Sequence, residues 1–331
     1  MENKNTALID QVSNEGFIRQ EVDPALDLAQ EIARLKREKN AIILAHYYMV
    51  PEVQDIADFV GDSLALSQQA ADTEADIILF AGVHFMGETA KILSPQKKVL
   101  IPDLNAGCSL ADSCKPADFE RFIAEHPGHT VVSYVNTSAQ IKALTDVVCT
   151  SSNAVQVVES IPADQPLIFG PDRNLGNYIR QVTGRENMLI WDGACHVHEE
   201  FSLERILELK KEFPQAKILV HPECKKPIQL IADYVGSTAG ILRFAQTDTA
   251  DTYIVATESG ILHQMRKSLP QKTLIAAPPM DSMCGCNDCA FMKLISLKKI
   301  YLTLKYELPE ITVPEALRQK AEKSIRRMLE I

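Results

Sequence analysis

The stretch AIILAHYYMVPEVQDIADFVGDSLAL (residues 41–66) decides how this chain is read. An apolar run ends at His46, a polar Tyr48 follows two residues on, and a hydroxyl, Ser63, stands seventeen residues on. The same layout returns twice. TVVSY ends at Tyr134, 88 residues later, with Asn136 and Ser151 at the matching offsets. AKILVH ends at His221, a further 87 residues on, with Glu223 and Thr238. A fixed period of this kind marks internal repetition and dictates the architecture before any single residue is weighed.

Within each repeat, short apolar runs alternate with stretches of helical periodicity. The first repeat predicts strands at 41–45, near 60, at 76–81 and at 97–102; the second at 130–135, 146–149, 166–170 and 187–191. In the third they fall near 217–220, 234–236, 252–256 and 272–276. Runs such as DIILFAG, PLIFG and TYIVA are continuously apolar, as strands buried on both faces of a parallel sheet require. Strands alternating with helices imply βαβ crossovers. The expected fold class is α/β, with three homologous three-layer α/β/α domains whose parallel sheets sit about a pseudo-threefold axis. The expected boundaries are a lead-in and helix at 1–40, repeats at 41–125, 126–214 and 215–290, and C-terminal helices at 291–331. Residues 1–23 read as a polar, irregular, loosely held lead-in, and 24–40 as a helix with basic residues at its end, where the dipole favours them. No linker rich in Gly, Ser or Pro separates the repeats, which predicts one compact body.

Composition narrows the function. Of 331 residues 46% are apolar, enough for substantial cores, and the net charge is −10, which argues against a broad nucleic-acid-binding face. No apolar run reaches the roughly 18 residues of a spanning helix, and the N-terminal residues lack a signal-peptide pattern. A cytoplasmic protein without membrane partners is expected. Eight cysteines in a reducing compartment then point to metal binding or catalysis ahead of disulfides.

Ligands of open parallel sheets sit beyond the carboxyl ends of the strands. His46, Tyr134 and His221 stand at that end of the first strand of each repeat, with Tyr48, Asn136 and Glu223 just beyond. Ser63, Ser151 and Thr238 are expected to cap helix N-termini, where hydroxyls and backbone N–H groups together hold carboxylates or a phosphate. Singly, each hydroxyl reads as an ordinary cap; the triple coincidence favours a ligand site. Glu223, between His221 and Cys224 in HPEC, reads as a general base or an orienting group, and Tyr48 as a proton donor or a packed ring. Each repeat also delivers thiols. Cys108 and Cys195 lie 62 and 61 residues after His46 and Tyr134. In the third repeat the arithmetic favours Cys284, while MCGCNDC also offers Cys286 and Cys289 as C-x-x-C, a spacing shared with zinc knuckles and redox pairs. Cys149 reads as a small buried hydrophobe, and Cys114 and Cys224 as spare thiols. Three thiolates, one per repeat, suit a soft metal or an iron–sulfur cluster.

These residues resemble the quinolinate synthase family over roughly 30–310. The resemblance is carried by AHYYMVPEVQDIADFVGDSLAL, DLNAGCSLADSC, SYVNTSAQIKA, CTSSNA, WDGACHVHEEF, VHPEC, VGSTAGIL and CAFMKLISLKKIYLTL. It implies three homologous α/β domains and a [4Fe-4S] cluster bound by Cys108, Cys195 and Cys289, with one open iron acting as a Lewis acid. It makes His46, Ser63, Tyr134, Asn136, Ser151, His221, Glu223 and Thr238 substrate contacts. Tyr48 and Glu223 become the proton-transferring pair, His46 and His221 the orienting pair, and His198 a neighbour of the cluster. The implied reaction is a transferase-type condensation and dehydration: iminosuccinate and dihydroxyacetone phosphate give quinolinate in NAD biosynthesis, with phosphate and water released. The implied partners are those two small molecules, with transient handover from the aspartate-oxidising enzyme. Two rival families fit less well. A diphthamide-synthesis radical enzyme shares the three cysteines but not the HYY, YVN and HPE segments, and a cluster-bearing regulator would need a basic face.

Overall fold

The computed structural model describes residues 2–280 and 287–331, with side chains described from residue 6 onward. Among the described residues twelve strands form three four-stranded parallel sheets. The first holds β1 (Ala41–His46), β2 (Phe59–Gly61), β3 (Ile77–Ala81) and β4 (Lys98–Leu100). The second holds β5 (Thr130–Tyr134), β6 (Val147–Cys149), β7 (Leu167–Gly170) and β8 (Met188–Ile190). The third holds β9 (Lys217–Val220), β10 (Tyr234–Val235), β11 (Thr252–Ala256) and β12 (Thr273–Ala276). Each sheet has one order, with its first strand between the second and third and the fourth outside: β2-β1-β3-β4, β6-β5-β7-β8 and β10-β9-β11-β12. With flanking helices this is the expected three-layer α/β/α organisation, stated three times. The central strands are buried along most of their length, as their uninterrupted apolar runs require.

One carboxylate per repeat fixes how the second strand joins the first. Asp58, Asp146 and Asp233 each stand twelve residues after His46, Tyr134 or His221. Each accepts the backbone N–H of Ile43, Val131 or Ile218, at 2.7, 2.8 and 2.8 Å. Their own N–H groups return bonds to the carbonyls of the same three residues, at 3.0, 3.0 and 2.9 Å. This two-way clasp sets the register of β2, β6 and β10 before the ladder begins.

The chain divides into two compact units. One comprises residues 1–108 and 290–319 and contains the first sheet; the other comprises 109–289 and 320–331 and contains the second and third. In the first unit the expectation of a loose lead-in is overturned. Glu2–Glu15 is a helix, and Leu8, Val12 and Ile18 are buried. Gly16 ends it with a positive φ of 84°. A Cβ there would sit 2.5 Å from Asn105 Nδ2, an atom that donates to Glu15 O at 2.7 Å. The buried Asp103 accepts from Asn105 N–H and pairs with Lys299. The N-terminal helix is thereby fastened to DLNAGC, the loop that carries Cys108. Gly16→Ala should cost about 2 kcal/mol, because an L-residue in the left-handed region costs about 1–2 kcal/mol before any clash. A lower denaturant midpoint at unchanged slope would check this. Among the described residues no helix is long and apolar enough to cross a membrane.

Candidate active site

In the first unit His46 closes β1 and is buried. Its Nδ1 accepts the Tyr48 N–H at 3.2 Å, and the Tyr48 ring meets it edge-on with centroids 4.4 Å apart. A ring nitrogen that accepts carries no proton, so the proton of the neutral ring is on Nε2. Lys293 Nζ donates to Tyr48 O at 2.8 Å. Cys108 is half-buried at the end of its loop.

In the second unit the same turn recurs at His221, whose Nδ1 accepts the Glu223 N–H at 3.3 Å. His221 Nε2 reaches Ser151 Oγ at 3.2 Å. The Glu223 carboxylate lies at the middle of the group and is buried. Tyr134, at the end of β5, donates its hydroxyl to Glu223 Oε1 at 2.5 Å. His198 Nδ1 lies 3.1 Å from Glu223 Oε2 without the alignment of a hydrogen bond, and its Nε2 meets Thr257 Oγ1 at 3.0 Å. The His198 and His221 rings stack at 4.7 Å. Burial pushes the Glu223 carboxyl up; the neighbouring His198 and His221, with the Tyr134 hydroxyl, outweigh this and hold it below the usual carboxylate range. Burial and the charge of Glu223 push the neighbouring Asp172 carboxyl up. Asn136 brings a different signal, a buried Oδ1 with no hydrogen-bond partner. Native structures rarely leave such an atom unmatched, and here it stands beside the predicted ligand position.

The expectation that Ser63, Ser151 and Thr238 cap helices does not hold. Asp62 caps the helix Ser63–Asp72 through Ala65 N–H, and Ser237 caps Thr238–Thr247 through Gly240 N–H. Asn153 precedes Ala154–Glu159 and binds Thr150 N–H instead. A better or equal capping residue stands before Ser63 and Thr238 and takes the position. Ser151 lies in the turn ahead of its helix, where its hydroxyl engages His221.

The cysteines separate by environment. Cys114, Cys149 and Cys224 are buried. Burial pushes the Cys114 thiol up to about 12, with Asp118 adding to it, and drives Cys149 and Cys224 up as well. A thiol held protonated is a poor metal ligand. Cys108, Cys195 and Cys289 are only half-buried. Cys195 Sγ, a ring nitrogen of His198 and a carboxylate oxygen of Glu223 all lie within 4.8 Å of one another, a donor set able to hold a metal. Two buried carboxylates that the sequence reading missed hold the cysteine backbones: Asp172 accepts from Cys195 N–H at 3.3 Å, and Glu258 from Cys289 N–H at 3.1 Å. They stand 38 residues after Tyr134 and 37 after His221, and that offset, equal to within one residue, was their one legible signal. Asn287 Nδ2 donates to Val197 O at 3.0 Å, tying the Cys289 segment to the short helix that follows Cys195. Cys284 and Cys286 lie outside the described residues. Cys195, half-buried with its backbone fixed by Asp172 and with His198 and Glu223 in ligand reach, fits a thiolate-bound metal group.

Comparison with known proteins gives the family. The family model described as NadA, quinolinate synthetase A protein, matches residues 30–330. A quinolinate synthase of Thermosynechococcus vestitus is 58% identical over 306 residues, covering 92% of this chain and 96% of that one. Those of Microcystis aeruginosa and Gloeothece citriformis are 58% and 57% identical over 305 residues, covering 92% of this chain and 95% and 94% of theirs.

Proposed function

Because the chain belongs to the quinolinate synthetase A family, we propose that it is a quinolinate synthase that condenses iminosuccinate with dihydroxyacetone phosphate in NAD biosynthesis. The observation that supports this most is the buried Tyr134–Glu223–His198 group beside Cys195. This reading makes the carboxylate the base, the phenol its proton donor and the nearby thiol a metal ligand.

The polar groups divide the work. His46 and His221, each with its proton on Nε2, offer N–H donors to substrate oxygens. Asn136, Ser63, Ser151 and Thr238 complete the polar lining that receives carboxylates and the triose phosphate. The Tyr134 hydroxyl already donates to Glu223 Oε1; as it takes a proton from the substrate, its own passes to the carboxylate. Tyr48 is the second proton-transferring group and protonates a departing hydroxyl. Deprotonation of iminosuccinate gives the carbon nucleophile that forms the carbon–carbon bond as phosphate leaves. After isomerisation of the ketone to an aldehyde, imine closure releases one water and a last dehydration the second, completing the aromatic ring. Cys108, Cys195 and Cys289 would hold a [4Fe-4S] cluster, which when bound supplies a Lewis acid for the loss of water. Handover of iminosuccinate from an aspartate-oxidising enzyme, in the cytoplasm, belongs to the same reading.

A second reading has one observation behind it. Cys195, His198 and Glu223 alone suffice for a single-ion site of zinc type. Inorganic sulfide separates the two, because only a cluster contains it. The test of function is anaerobic, iron-loaded protein supplied with both substrates. Quinolinate should accumulate in step with phosphate release, and phosphate release without quinolinate would overturn the assignment.

A further inference from the structure

Eight residues after each strand-end residue stands a polar donor: Gln54 after His46, Lys142 after Tyr134 and Gln229 after His221. Each reaches back to two carbonyls, those one and three residues past the strand-end residue. Gln54 Nε2 donates to Tyr47 O at 2.9 Å and Met49 O at 2.7 Å. Gln229 Nε2 donates to Pro222 O and Cys224 O, both at 2.7 Å. Lys142 Nζ donates to Val135 O at 2.8 Å and to Thr137 O. Three repeats thus use one clamp, and in each it grips the backbone on both sides of the residue that the site uses: Tyr48, Asn136 or Glu223.

A clamp of this form does more than satisfy carbonyls. The peptide group is planar and trans, so a carbonyl turned toward the clamp aims the next N–H the other way. In the outer repeats those N–H groups, of Tyr48 and Glu223, meet Nδ1 of His46 and His221. The middle repeat differs twice. Its strand-end residue is Tyr134, which has no ring nitrogen to receive the Asn136 N–H. Its clamp is a fully buried lysine where the other repeats carry glutamine. From this, and resting on the substrate-binding role proposed above for Asn136, we infer that Lys142 is the positioning residue for Asn136. Its cationic clamp polarises the two gripped peptides and makes the Asn136 N–H and amide a stronger receiver for an anionic oxygen of the ligand. Charge-assisted hydrogen bonds are stronger than neutral ones and polarise the groups they hold.

The other two repeats supply the control. Lys142→Gln installs the clamp that the fold uses elsewhere and removes the charge alone; Lys142→Met removes both. Calorimetric titration with quinolinate, on iron-loaded protein, reads binding without turnover. Lys142→Gln should melt close to wild type yet bind quinolinate about tenfold more weakly, with the loss in assays seen more in KM than in kcat. That magnitude corresponds to the Asn136 hydrogen bonds to the ligand weakening from charge-assisted toward neutral strength. Lys142→Met should lose both binding and melting temperature, because the buried Thr137 carbonyl loses the lysine donor and the Val135 carbonyl keeps only the Thr137 N–H. Wild-type affinity in Lys142→Gln would overturn the inference and leave the clamp purely structural. Wild-type protein that does not bind quinolinate would bring down the proposed function itself, and the inference with it.

Discussion

Cys195→Ala is expected to leave the protein without iron or acid-labile sulfide and to lower quinolinate formation by more than about 100-fold, since losing only the outer partners of a metal ligand costs about 10–100-fold. Cys195 is half-buried, its N–H is held by the buried Asp172, and its sulfur stands within ligand reach of His198 and Glu223. Such a thiol can ionise and is already oriented. Alanine keeps the backbone bond to Asp172 and deletes only the sulfur, so a loss of metal is assignable to the thiolate. Cys108→Ala and Cys289→Ala should behave alike. The contrast is Cys149→Ala. Cys149 ends β6, is fully buried, and has a thiol that burial keeps protonated. Its removal should cost about 1 kcal/mol of stability, the usual size for a single substitution, with iron and sulfide unchanged. Iron and sulfide counts on anaerobically purified variants, set beside the turnover assay, decide each case. Wild-type counts in any of the first three would remove that residue from the ligand set.

How far the sequence announces this arrangement depends on the distance over which each feature is encoded. The strands were legible because uninterrupted runs such as IILFA and TYIVA satisfy a local burial requirement, and the 87-to-88-residue period then aligned their ends. The N-terminal helix was not, because Leu8, Val12 and Ile18 are too few and too spaced to show a face. The hydroxyls at Ser63 and Thr238 were found for a partly mistaken reason. Their residue type repeats, but Asp62 and Ser237, one position earlier, take the caps. The repeating clasps were readable and missed. Asp58, Asp146 and Asp233 keep their identity at a fixed offset, whereas the clamp hides because lysine replaces glutamine in the middle repeat. What no spacing rule conveys is the meeting of Tyr134 with Glu223, 89 residues away. That contact depends on how the second and third sheets pack, and the proposal that Tyr134 shares in proton transfer rests on it.

Glu223→Gln is the substitution that most directly tests that partnership. Glutamine matches the carboxylate in shape but cannot accept a proton, so kcat should fall by about 10²–10⁴-fold, the usual contribution of a positioned general base. Its surroundings keep Glu223 in the ionised form that a proton acceptor needs. Burial pushes its carboxyl up, but His198, His221 and the Tyr134 hydroxyl outweigh this and hold it low. Tyr134→Phe removes the 2.5 Å donor and should lower kcat less, because the carboxylate remains. If the two side chains act as one relay, the double variant should be hardly slower than Glu223→Gln alone, since groups acting as a unit are not additive. Multiplying effects would show that Tyr134 and Glu223 work in separate steps. The metal content of Glu223→Gln carries equal weight. A base that is not a ligand can be replaced with iron and sulfide retained, whereas in a single-ion site built from Cys195, His198 and Glu223 the metal would leave with the carboxylate. Retained iron and sulfide with lost turnover therefore identifies Glu223 as the base; turnover within about threefold of wild type is too small a loss for a general base and would exclude it.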